Sequence, residues 1–154
     1  MTQVSKQFHL RSEEETKALG ASLSTIIRRG DCIFLKGQIG AGKSTLARAF
    51  IRARLGQDTE VPSPTFTLVQ VYDDVECEIW HTDLYRLGDA QEAVELGLID
   101  AMGQHICIIE WPEILENLAP NDGLTIEMSV EENGHLAVLT GDGTWQNRIE
   151  RLTL

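Results

Sequence analysis

Residues 34–45, FLKGQIGAGKST, constrain this chain more than any other stretch. Three glycines, a lysine and two hydroxyl residues follow directly on a short apolar run. Gly37 to Ser44 fit G-x-x-x-x-G-K-[ST] at every fixed position. Glycines let the backbone curl closely around an anion, turning successive amides inward. The start of the next helix adds free N–H groups and the positive end of its dipole. Gly37, Gln38, Ile39, Gly40, Ala41, Gly42, Lys43, Ser44 and Thr45 are therefore expected to cradle the phosphates of a nucleotide. In such a cradle Lys43 reaches the β- and γ-phosphates and the Ser44 hydroxyl is a ligand of Mg²⁺. A plain glycine turn is disfavoured by the buried strand before the motif and the capless amphipathic helix after it. A dinucleotide site is disfavoured because the run from Gly40 ends on Thr45 where that pattern needs glycine.

Hydrolysis of a nucleotide also needs an acidic residue at a strand end to hold the Mg²⁺ shell. Two segments compete: CEIWHTD, ending at Asp83, and ICIIE, ending at Glu110. The second is the cleaner apolar run, which favours Glu110, with Asp83 beside it orienting a metal-bound water. Either acid alone could instead be a helix cap or a surface group. His81 shares a strand face with Asp83, and a lone histidine is more often a packing or hydrogen-bonded residue than a base or ligand. In VPSPTFTLV, Pro62 and Pro64 predict a stiff extended segment. Thr65 follows, where it either contacts a γ-phosphate as switch segments do or merely leads into a strand.

Around these motifs the pattern is of strands interleaved with helices. Residues 5–10 read as a strand, and Ser12 to Glu15 as a capping box opening a helix to about Ile27, closed by Gly30. DCIFLKG is a strand and KSTLARAFIRARLG an amphipathic helix ending at Gly56. FTLVQVYDD and CEIWHTDLY read as strands, DAQEAVELGL as a helix, and HICIIEW as a strand stopped by Pro112. LTIEMSVEENGHLAVLTG reads as a hairpin turning at Asn133-Gly134, with a short helix after Gly143. The whole predicts one α/β domain over residues 1–154, a sandwich whose sheet is partly antiparallel.

At 154 residues, 42% hydrophobic and 24% charged, the composition is that of a soluble globular protein. No apolar stretch approaches the roughly 20 residues that span a bilayer, and the N-terminus lacks the apolar core of a signal peptide. A cytoplasmic location is expected, with no membrane contact. Cys32, Cys77 and Cys107 are widely spaced with no CxxC pair, which fits structural free thiols, with Cys32 and Cys107 inside apolar runs as small buried hydrophobes. A net charge of −11 repels nucleic acid in aggregate. Arg48 and Arg52 share one face of the helix after Lys43, with Arg54 nearby, as a solvated face or as a patch for an acidic partner.

Taken in order, these pieces resemble the TsaE family, also called YjeE, small bacterial P-loop ATPases of tRNA threonylcarbamoyladenosine biosynthesis. GQIGAGKST looks like the family's Walker A, SPTFTLV like its switch segment, and HTDLYRL like its His-x-Asp-x-Tyr-Arg motif. ELGL at 95–98 and IIEWPE at 108–113 match further signatures. The resemblance implies a three-layer P-loop NTPase sandwich that binds and hydrolyses ATP with Mg²⁺. It implies work with TsaD and TsaB, which carry out the transfer and, on this view, most of the tRNA contact. By position, Ser44 and Glu110 match the family's magnesium ligands, Thr65 its switch threonine, and Asp83 the acid of its His-x-Asp motif. Trp111 falls on its indole, and by analogy the base lies near Ser12 and the strand around His135. Gln38 replaces a common acid and Ser44 a common threonine. A small-molecule kinase and a nucleotide-dependent binding switch are the rival functions; no arginine-bearing lid insertion follows Glu110 to support the first.

Overall fold

The computed structural model describes residues 3–65 and 67–154. Seven strands form one mixed sheet in the order β1-β7-β6-β2-β5-β4-β3. They are β1 Gln3–Leu10, β2 Cys32–Lys36, β3 Val69–Asp73, β4 Glu78–Asp83, β5 Ile106–Glu110, β6 Leu124–Glu131 and β7 Gly134–Asp142. The central four, β6-β2-β5-β4, run parallel, while β1 and β7 on one flank and β3 on the other pair antiparallel. Helices α1 (Glu13–Ser24) and α2 (Lys43–Leu55) cover one face. The short α3 (Ala90–Glu95) and α4 (Leu98–Ala101) cover the other with the 3₁₀ segment Pro112–Leu118. A last turn, α5 (Gln146–Ile149), follows β7. This is the expected three-layer sandwich.

Strand alternation divides the core between the two faces. Ile33, Leu35, Ile108 and Ile126 pack with Leu19, Leu23, Leu46, Phe50 and Ile51 of α1 and α2. Cys32, Phe34, Cys107 and Ile109 pack the opposite way, against Ala93, Leu98, Ala101 and Leu115. α1 and α2 touch closely at Gly20, where a Cβ would lie 2.7 Å from Ala49 Cβ and 2.8 Å from the Leu46 carbonyl.

Local departures from the sequence reading have local causes. α1 ends at Ser24 because the Ser24 and Thr25 hydroxyls bond the carbonyls of Ala21 and Ser22, competing with the helix ladder. Ile26 and Ile27 are buried just beyond the helix, and Gly30, at φ 91°, belongs to a separate turn closed by the Asp31 amide on the Arg28 carbonyl and not to a helix cap. The Ser12 cap forms, but Glu15 returns its carboxylate to the Arg11 amide. The strand expected from Phe66 begins at Val69; Phe66 itself lies outside the described residues. Gly97, at φ 85°, splits the predicted 89–98 helix into α3 and α4. The hairpin closes on Glu132-Asn133, with Gly134 already paired to Glu131.

Candidate functional site

β2 delivers the chain into the glycine loop and α2 carries it away, so the loop sits at the C-terminal ends of the parallel strands, where open α/β sheets bind ligands. Gly37, Gly40 and Gly42 take φ of 140°, 88° and 99°, conformations that side chains disfavour. Gly37 has a second constraint, since a Cβ there would stand 2.3 Å from the Met128 carbonyl of β6. α2 starts at Lys43 with no side-chain cap, which leaves its first amides to an anion.

The parallel register of β4 and β5 sets Asp83 directly opposite Glu110. Both point to the α2 face, and both are almost fully buried. With Lys43, Ser44, Thr45, Thr65 and Trp111, and with Ile39, Gly40 and Gly42 of the loop, they line one cavity of about 280 Å³. Gly37, Gln38 and Ala41 instead line a neighbouring groove of about 660 Å³ that shares Trp111. None of Lys43, Thr65, Asp83 and Glu110 borders this larger space, so its volume does not make it the centre of the chemistry.

Each acid is held by a specific partner. The Thr65 hydroxyl donates to Asp83 Oδ2 at 3.2 Å, and the Tyr85 amide donates to Asp83 Oδ1 at 3.0 Å. Ser63 Oγ lies 2.8 Å from Thr65 Oγ1, so two hydroxyls and a carboxylate form a chain at the cavity edge. His81 Nε2 bonds Glu110 Oε2 at 2.8 Å, and both side chains are buried. His81 Nδ1 is also buried, with no partner among the described residues.

Lys43 is 6% exposed, and its ammonium folds back to donate to the Gly37 carbonyl at 2.6 Å. The indole of Trp111 lies over it, 4.0 Å from Nζ to the ring centroid, and Tyr85 packs on that indole at 4.9 Å. Burial pulls the Lys43 pKa below the ordinary lysine value, opposed by the negative charges of Glu110, Asp83 and Glu113. Trp111 holds φ 59°, a left-handed conformation that costs a non-glycine residue of order 1–3 kcal/mol. This strained residue is the one whose ring covers the loop lysine.

The donors present suit a magnesium ion: the hydroxyls of Ser44, Thr45 and Thr65 and the carboxylates of Asp83 and Glu110, all hard oxygens, beside a cation and the uncapped start of α2. No group of three or more His, Cys, Asp or Glu that could hold a metal occurs among the described residues.

Of the residues expected from sequence, Ile39, Gly40, Gly42, Lys43, Ser44, Thr45, Thr65, Asp83 and Glu110 meet at this cavity, while Gly37, Gln38 and Ala41 face the neighbouring groove. His81 is hydrogen-bonded, one of its two expected roles. Ser63, Tyr85 and the cover of Lys43 by Trp111 were not foreseen: the first two contact Thr65 and Asp83 two residues away through turns that the sequence pattern does not fix, and the third joins distant segments. Ser12 spends its hydroxyl on the α1 cap. His135 lies beside the loop, its Cδ2 3.9 Å from a Cβ built on Gly42.

A strand, glycine loop and helix opposed by acids on adjacent parallel strands define a P-loop NTPase. The family model "Threonylcarbamoyl adenosine biosynthesis protein TsaE" matches residues 10–137, and the chain belongs to the TsaE family. A tRNA threonylcarbamoyladenosine biosynthesis protein TsaE from Rickettsia bellii is 33% identical over 143 residues, covering 92% of this chain and 99% of that protein. Its counterpart in Bacillus subtilis is 38% identical over 114 residues, covering 73% and 70%. The crystal structure of Bacillus subtilis YdiB superposes with a TM-score of 0.70 at 27% identity, over 97% of this chain and 90% of that one. Among the described residues no helix is long and apolar enough to cross a membrane.

Proposed function

We propose that this chain is the ATP-binding and hydrolysing subunit of a bacterial tRNA threonylcarbamoyladenosine machinery, acting as one domain over its 154 residues in the cytoplasm. One observation carries the reading: the loop lysine and serine share a cavity with Thr65, Asp83 and Glu110, drawn from three separate segments. Lys43 leaves the Gly37 carbonyl to meet the β- and γ-phosphates, while the loop and α2 amides bind the remaining oxygens. Ser44 and Glu110 hold the Mg²⁺, which supplies neutralisation of charge developing on the phosphates. His81 keeps Glu110 oriented, and Asp83 positions the attacking water, with Thr65 closing from the switch segment. The chain works with TsaD and TsaB homologues, meets tRNA mainly through them, and leaves the group transfer to them. Turnover is slow alone and rises with partners.

The test is ATP hydrolysis and nucleotide-dependent co-purification, with and without TsaD and TsaB homologues from the same source. Lys43→Ala loses nucleotide binding, whereas Glu110→Ala keeps it and loses Mg²⁺-dependent turnover. Efficient phosphorylation of a free metabolite, indifferent to partners, would refute the reading. Turnover that survives Glu110→Ala but not Asp83→Ala would move the metal assignment to Asp83.

A further inference from the structure

Residues 59–65 connect the end of α2 to Thr65 without helix or strand. Pro62 and Pro64 carry no N–H, so the segment has little backbone pairing of its own. Its carbonyls are taken by arginines instead. Arg52 Nε donates to the Thr59 carbonyl at 3.0 Å, Arg48 Nε to the Val61 carbonyl at 3.3 Å, and Arg86 Nη1 to the Thr65 carbonyl at 3.4 Å. Val61 and Pro64 are buried between these points. Arg48 and Arg52 are half-buried and stand one turn apart on α2, the helix that begins with Lys43 and Ser44.

We infer that Arg48 and Arg52 are positioning residues for nucleotide hydrolysis. They fix the strap 59–65 to the same helix that forms the cradle, and so set where Thr65 meets Asp83. This assignment rests on the ATPase reading above. It refines the sequence expectations for these arginines: each Nε is spent on a backbone carbonyl, while both side chains still line an open groove with Glu13, Glu14 and Lys17. It also couples the two ends of the site physically. A shift of α2 on filling of the cradle is carried through two side chains to the carbonyls that precede Thr65.

Lysine is the informative replacement. Its Cε falls where arginine has Nε, so Arg→Lys keeps the charge and removes the donating N–H. The full chain carrying Arg48→Lys and Arg52→Lys is compared with wild type in the presence of TsaD and TsaB homologues. We expect kcat to fall about tenfold while the Kd for ADP stays within about twofold, because transition-state positioning is lost and the cradle is intact. Amide exchange at residues 59–65 should accelerate, with exchange in α2 and the sheet unchanged. An unchanged kcat, or a loss of ADP affinity matching the loss of kcat, would overturn the assignment. So would lysine variants that behave as wild type while Arg48→Ala and Arg52→Ala lose only partner stimulation, the signature of a docking patch. If the wild-type chain neither binds nor hydrolyses ATP, the proposed function fails. The exchange comparison still judges the clamp, and strap protection that is equal in wild type and variant rejects it.

Discussion

Replacing His81 with phenylalanine isolates one buried interaction of the site. The ring is 1% exposed, and Glu110, whose carboxylate its Nε2 meets at 2.8 Å, is 3% exposed. Nε2 donates, since Nδ1 faces no partner among the described residues and is less costly there as a bare acceptor than as an orphaned N–H. Phenylalanine keeps approximately the same volume and deletes the donor. A hydrogen bond to a charged group contributes about 1.5–3 kcal/mol net. Removing the unsatisfied Nδ1 returns about 1 kcal/mol, the low end for a buried unpaired group. The balance is a loss of about 0.5–2 kcal/mol, or a Tm lower by about 1–8 °C for a chain of this length.

Urea unfolding followed by circular dichroism measures that loss directly. The same replacement in a Glu110→Gln background gives the second half of a cycle, where only a neutral hydrogen bond remains to be broken. A coupling of about 1 kcal/mol is expected, well above the roughly 0.3–0.5 kcal/mol scatter of independent sites. Costs that are equal in the two backgrounds would refute the idea that His81 serves the Glu110 carboxylate. Turnover should fall in His81→Phe while ADP affinity holds, because the cradle is untouched.

Three other outcomes follow from the same coordinates. Burial, against Glu110, Asp83 and Glu113, leaves the Lys43 pKa below 10.5 in the free chain. Bound phosphate favours its charged form, so ADP affinity measured by calorimetry should be level near neutrality. It should fall as pH rises through that lowered value; affinity that stays level up to the ordinary lysine pKa would contradict the geometry. Arg54 donates to the Ser24 and Ile27 carbonyls and pairs with the buried Asp74 at 2.7 Å. Arg54→Met should therefore cost about 3 kcal/mol in urea unfolding, the lower range for breaking a buried pair, with ADP affinity unchanged. Gly20→Ala improves helix propensity by about 1 kcal/mol, yet its Cβ would meet Ala49 and the Leu46 carbonyl. Overpacking of about 1–3 kcal/mol should win, giving a lower Tm.

What the sequence made legible depended on range. Loop, strands and hairpin announce themselves within a few residues, through glycine spacing, apolar runs and turn residues. Asp83 and Glu110 could each be placed at a strand end for the same reason, but their meeting depends on the β4–β5 register, a pairing of segments 27 residues apart. The partnership of His81 with Glu110 follows from that register and was invisible before it. Leu68 shows the opposite failure. It reads as part of a strand, yet it sits at φ 69° with its amide on the Pro64 carbonyl at 2.7 Å, and accepts from the Asp83 amide at 3.0 Å. The strap is thereby turned toward Asp83 before β3 begins. Ile26 and Ile27 misled in another way, because helical spacing reports which residues are buried and not whether a helix buries them.

The charge balance gains meaning only with the contacts in view. Of 13 Lys and Arg residues, most are tied to the chain itself. Lys6, Arg29, Lys43, Arg48, Arg52, Arg54, Arg86, Arg148 and Arg151 all donate to backbone carbonyls of the chain itself. Lys17 pairs with Glu13 and Glu14 on α1. That leaves Arg11, Arg28 and Lys36 with neither role among the described residues. The 24 Asp and Glu residues outnumber the 13 cations, and among the described residues only Asp83 and Glu110 of these acids are buried as whole residues. Phosphate backbones are held by clustered, accessible cations, and the cations here are occupied in holding loops, termini and the strap in place. This supports the reading in which tRNA meets partner subunits, while this chain spends its positive charge on the geometry of its own site.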